Sequence, residues 1–155
     1  MECGIQGMLA AVAVTRPVSV DVRFSVVSVV RAMNARHANA ALVYAKHELV
    51  GIFTERDILT RVVELCRDAR ATQVGEVMTP TPLTVRAQLS LDGAMHIMHE
   101  NGFRHLPVLG ERGPAEVVSM RDVANALARV LDIENRQLNE YISGAHAARR
   151  RYMVP

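Results

Sequence analysis

Apolar residues recur along this chain first at every second position and then at every third or fourth, and the two spacings take turns. Val18-Ser19-Val20 alternates, and Pro17 biases the residue before it away from helix, so residues 12–14 and 18–20 read as extended chain. From Ser25 the apolar positions Val26, Val29, Val30 and Met33 share one side of a helix, while Arg31 and Arg36 fall elsewhere. Valine is a weak helix former, so this helix must draw its stability from packing. Residues 40–44 and 49–53 read as the two strands of a hairpin around Ala45-Lys46-His47-Glu48. Thr54 then has the residue type of an N-cap, and Asp57, three residues on, that of a capping-box acid. The helix they open is predicted to run through Ile58, Leu59, Val62, Val63 and Leu65 and to cover the sheet with that apolar stripe.

The same order is then written again. Residues 81–85 are extended, residues 90–101 are helical with Gly102 at the C-cap position, and two strands, 106–109 and 115–118, flank the turn sequence Gly110-Glu111-Arg112-Gly113-Pro114. Ser119 opens the last helix, with Asp122 three residues on. Asp57 and Asp122 are 65 residues apart, and at that spacing Pro17 meets Pro82, Val20 meets Val85, Ser25 meets Ser90, Met33 meets Met98, Val43 meets Val108 and Arg56 meets Arg121. A register that holds without a gap over this length identifies one supersecondary unit present twice. The expected organisation is a loose lead over 1–11, a first unit over 12–67, a polar linker over 68–76, a second unit over 77–130, and a C-terminal helix with a basic tail over 131–155. Ile133, Leu138, Tyr141 and Ile142 supply the apolar side of that added helix, and Arg149-Arg150-Arg151 forms the terminal cluster, where disorder is the default.

Composition narrows the partners. With 155 residues, half of them apolar, the chain fits one compact domain or two small units sharing a core, and a formal charge of +2 provides no strong field for a dedicated nucleic-acid binder. The three tail arginines alone would give weak, salt-sensitive contact, so nucleic acid is an unlikely partner. Cys3 and Cys66 have neither metal-ligand nor redox spacing, which fits a reducing cytoplasm. The apolar stretch over residues 8–14 is too short to span a bilayer and follows Glu2 where a signal peptide would be basic, so no membrane association is expected.

The run from Gly51 to Asp57, Val77-Met78-Thr79-Pro80 opening the second copy, and Arg104-His105-Leu106-Pro107-Val108 within it resemble a pair of CBS domains, the tandem known as a Bateman module, over roughly residues 12 to 130. The resemblance implies an α+β fold of two βαββα-type repeats packed through their sheets about a pseudo-two-fold axis, and commonly a homodimer. It also implies an adenine nucleotide, AMP, ADP or ATP, as regulatory ligand with no cofactor required, and a protein partner that reads the outcome. A carboxylate in the first turn of a helix repels phosphate but can accept two hydrogen bonds from a ribose cis-diol. In the resemblance Asp57 with Thr54, and Asp122 with Ser119, play that part at two sites, and Arg104 and His105 reach the phosphates. The base would lie against Met78, Thr79 and Pro82 at the Thr54/Asp57 site, and against Val14 and Thr15 at the Ser119/Asp122 site. Arg121 offers a further phosphate contact. Two departures make the sites unequal: Glu116 takes the motif glycine's place, and Asn39 and Ala40 stand where Arg104 and His105 would repeat.

Other chemistries fit less well. His96 and His99 are three apart on a helix, a spacing that could serve a metal, but no third ligand is evident and the apolar stripe of Leu91, Ala94, Met95 and Met98 leaves them on the wet side. Met33, Met95 and Met98 fall at core positions rather than forming a cofactor box. No Ser-His-Asp arrangement, phosphate-binding glycine loop or distinguished acid pair points to an enzyme. The competing reading is a ligand-free dimerisation and interaction scaffold, with NAD or S-adenosylmethionine as alternative ligands.

Overall fold

A computed structural model describes residues 17–109 and 116–151. β1 (Val18–Asp21), helix α1 (Val26–Ala35), β2 (Ala40–Ala45) and β3 (Glu48–Thr54) form the first unit with a short α-turn, α2 (Glu55–Asp57), that passes directly into a π-helical stretch, α3 (Ile58–Val63). Then follow α4 (Val74–Val77), β4 (Thr79–Pro80), β5 (Val85–Arg86), α5 (Leu91–Asn101), β6 (His105–Leu109), β7 (Glu116–Ser119) and α6 (Met120–Arg151). The turn at 110–114, the extended residues 12–14 and the lead over 1–11 lie outside the described residues.

One sheet has the order β1-β2-β3-β4 and the other β5-β6-β7. In each, the first strand pairs parallel with the second, across a helix, and the second pairs antiparallel with the third, as the repeat requires. Val26, Val29 and Met33 of α1 bury against Val18, Val20, Ala41, Val43 and Phe53. Leu91, Ala94 and Met98 of α5 do the same against Leu106, Val108 and Val118. The sheets meet through their other faces, where Ala40, Leu42 and Ile52 of the first, flanked by its own Tyr44 and Leu49, pack with Val117 of the second. β4 crosses between the units: it belongs to the second copy in sequence, yet it pairs with Gly51 and Ile52 of β3.

One expectation changes. The helix after Thr54 covers the sheet with Val62 and part of Ile58, whereas Leu59, Val63 and Leu65 are exposed. The cause is a wide turn: Glu64 N–H donates to Leu59 C=O and Arg67 N–H to Val62 C=O, five residues back, so the 3.6-residue phase that predicted the stripe is lost. The polar stretch over 68–76, between the two copies, packs back on the first unit. Val74 and the following Val77 are fully buried in the first core, and the segment bonds back through Val26 N–H to Thr72 C=O, Val74 N–H to Phe24 C=O and Gly75 N–H to Val22 C=O. α6 also runs unbroken for 32 residues from the last strand, its backbone helical through Arg151, so the added helix and the repeat's own last helix are one element.

Candidate functional site

Each sheet's last long strand delivers a hydroxyl residue to the start of a helix. At Thr54 the backbone is still extended (φ −128°, ψ 167°), and both its amide and its hydroxyl donate to Asp57 Oδ2, at 2.8 and 2.7 Å. At Ser119 the amide and hydroxyl donate to Asp122 Oδ2 at 3.1 and 2.5 Å, and the Asp122 amide donates back to Ser119 Oγ at 3.2 Å. Helix capping therefore accounts for one oxygen of each acid. Asp57 Oδ1 has the Thr79 hydroxyl at 3.5 Å and the Arg61 guanidinium at 3.4 Å. With only 6% of its surface exposed, Asp57 lies on the floor of a cleft rather than at its rim.

That cleft holds about 360 Å³ and is walled by the start of α2, Arg61, Thr79, residues 81–83 and residues 102–105. A second cleft of about 530 Å³ lies at the start of α6, with Ser119, Arg121 and Asp122 on one side and Pro17, His37 and Ala38 on the other. Asn39, Glu55, Arg104 and His105 face both. Burial, and next the Arg104 charge, hold His105 below the usual imidazole value, while Glu55 and Asp122 pull the other way.

The first cleft brings together Thr54, Asp57, Thr79, Pro82, Arg104 and His105, and the second brings together Ser119, Asp122, Arg121, Arg104 and His105. Val14 and Thr15 lie outside the described residues. Met78 lines neither cleft among the described residues: its side chain packs on the first core, and its carbonyl, like that of Val77 at 3.1 Å, accepts from Arg61. The same packing accounts for Gly51. A Cβ there would fall 2.1 Å from Met78 Sδ, so the glycine admits a methionine side chain rather than a ligand. Glu116, in the glycine's place, is half-buried on β7 opposite Val108 and outside both walls.

Several wall residues were not foreseen. Arg61 ties the floor acid to the segment leading into the second copy, and its spacing of four from Asp57 on a helix was the available signal. Glu55 has no counterpart in the sequence reading, whereas Asn39, expected as the neutral counterpart of Arg104, does reach the wall. Phe103 and Leu83 give the first cleft apolar area against which a planar ring can lie. Thr81 stands in the left-handed region (φ 46°), uncommon for a β-branched residue, with its amide donating to Val50 C=O at 3.0 Å. His96 and His99 are exposed, on the side away from Leu91, Ala94 and Met98.

The CBS domain profile matches residues 9–64 and 74–129, so the chain belongs to the CBS-domain family and carries two copies in tandem. It is 33% identical over 127 residues to the CBS domain-containing protein CBSX3, mitochondrial, of Arabidopsis thaliana, covering 79% of this chain and 62% of that protein. Another Arabidopsis relative, CBSCBSPB5, is 38% identical over 109 residues, of which the chain spans 20% of the length. Among solved structures, a protein with CBS domains from Burkholderia ambifaria is 32% identical with TM-score 0.68, covering 73% of this chain and 83% of that one. The CBS-domain containing protein ATU1752 from Agrobacterium tumefaciens is 27% identical with TM-score 0.71, covering 79% and 98%. No helix among the described residues is long and apolar enough to cross a membrane.

Proposed function

We propose that this tandem CBS module is a regulatory sensor: it binds an adenine nucleotide, AMP, ADP or ATP, between its repeats and passes the result to a partner protein. The observation that carries the reading is Asp57 on the floor of a cleft whose wall also bears Arg104. Asp57 Oδ1 accepts from the ribose diol there, and the Arg104 fork takes phosphate oxygens. Phe103 and Leu83 give the base an apolar face; its identity as adenine rests on the family resemblance. Thr54 and Ser119 position the two acids through the bonds described above, and Arg121 serves the second cleft. The coupling available to a partner equals the nucleotide's differential affinity for two arrangements of the pair, typically about 1 to 3 kcal/mol. The module acts as a homodimer, and the cytoplasm, which suits two widely separated thiols, is its proposed location.

Thermal unfolding with AMP, ADP, ATP, NAD and S-adenosylmethionine tests the assignment. A ligand at 100 times its dissociation constant stabilises the fold by about 2.7 kcal/mol. An adenine nucleotide is expected to raise the melting temperature of the parent clearly more than that of Asp57→Asn. No response to any of the five leaves the ligand-free scaffold as the reading that stands.

A further inference from the structure

The two clefts share one wall, and its chemistry is lopsided. Repeat symmetry places residues 39 and 104 in equivalent positions, each bonded to the start of a following helix: Glu55 N–H donates to Asn39 C=O at 3.3 Å, and Met120 N–H donates to Arg104 C=O at 2.8 Å. Both ends meet where the clefts adjoin, since Asn39, Glu55 and Arg104 face each of them. A symmetric pair would hold two cations at this seam. Here the partner of Arg104 is a neutral amide, and Glu55 adds a carboxylate where the second copy has Met120.

We infer that the clefts compete for Arg104, so that one nucleotide binds per chain, in the Asp57 cleft, and its phosphate disfavours a second in the Asp122 cleft. The inference rests on the nucleotide reading above and adds stoichiometry and order to it. Charge fixes the order. The Asp57 cleft sets Arg56, Arg61 and Arg104 against Glu55 and Asp57, whereas the Asp122 cleft sets only Arg104 and Arg121 against Glu55 and Asp122. Once a phosphate in the first cleft has taken Arg104, the second retains Arg121 beside two carboxylates, with another phosphate across a common wall. Like charges at that range repel with little screening in a partly enclosed site. A ligand without phosphate meets no such barrier.

Calorimetric titration of the full chain with AMP tests this. The parent is expected to show one binding event per chain, with any second event weaker by about tenfold or more. Asn39→Arg restores the missing cation at an exposed position and is expected to bring the second event to within about threefold of the first. Asp57→Asn is expected to lose the tight event. Two equal AMP sites in the parent, or an Asn39→Arg variant still limited to one, overturn the inference while nucleotide binding stands. Failure of AMP to bind at all removes the nucleotide reading and this inference together.

Discussion

Asp57 has two duties that substitution can separate. Its Oδ2 holds the Thr54 amide and hydroxyl, and its Oδ1 faces the cleft beside Arg61 and Thr79. Asp57→Ala removes the cap and is expected to cost about 1 kcal/mol in urea unfolding, whereas Asp57→Asn keeps an oxygen at the cap and costs roughly half that or less. Both variants lose the charged acceptor and are expected to weaken nucleotide binding by about tenfold or more. Parent-like affinity in Asp57→Asn would remove the diol role from this residue. His105 supplies a pH dependence with a defined sign. Its folded-state value lies below the ordinary one because it is buried near Arg104, so between the two values the unfolded chain binds more protons. Stability is therefore complete above about pH 6.5 and declines as the pH falls toward the folded value. Melts from about pH 5 to pH 8 are expected to show a shallower acid-side decline in His105→Asn than in the parent. Equal slopes would mean that this imidazole titrates as in the unfolded chain.

At the scale of elements, Gly51 and Met78 join β3 to the segment that leads into β4. A methyl group on residue 51 collides with Met78 Sδ, so Gly51→Ala is expected to destabilise the fold by about 1 to 3 kcal/mol. In a Met78→Ala background the same change finds space, and a double-mutant cycle should recover most of the loss. Additive effects would show that the two side chains do not meet. This contact bears on what the sequence could disclose. The repeat, the hairpin, the two capped helix starts and the left-handed Gly102 (φ 67°) follow from periodicity and cap chemistry, because those features are local. The motif glycine's purpose was not legible, since its neighbour is 27 residues away. Neither was the π-helical turn, whose exposed Leu59 and Val63 imitate a buried stripe, nor Val74 and Val77, two core residues in an otherwise polar run. At the same 65-residue spacing Ala13 takes the place of Met78, so the second copy replaces a glycine–methionine pair with a glutamate–alanine pair. The sites were legible by residue type at the helix starts and, through the repeat register, at Asn39, Arg104 and His105, while Glu55 on the same wall acquires meaning only once the repeats face each other.

At the scale of the whole molecule, α6 carries an apolar face that a second copy could cover. Its 32 residues extend about 48 Å at 1.5 Å each. Val123 and Ala126 are buried on the second repeat, with Leu127 and Val130 packed beside them, but Leu131, Leu138, Tyr141 and Ile142 are 51 to 78% exposed. Those four continue one side of the helix, and a projecting helix of this length needs a surface to pack on. A second α6 laid antiparallel about the midpoint of Tyr141 and Ile142 supplies it. In that register Tyr141 of one copy meets Ile142 of the other, with Leu138 one turn away on either side. The full chain is therefore expected to sediment as a dimer. Leu138→Glu removes two buried leucines per dimer, about 3 kcal/mol in total, and should weaken the dimer roughly a hundredfold while leaving the first AMP event in place. A parent that stays monomeric at micromolar concentration refutes the pairing. A dimer indifferent to Leu138→Glu would move the interface to the other exposed apolar helix face, that of Leu59 and Val63.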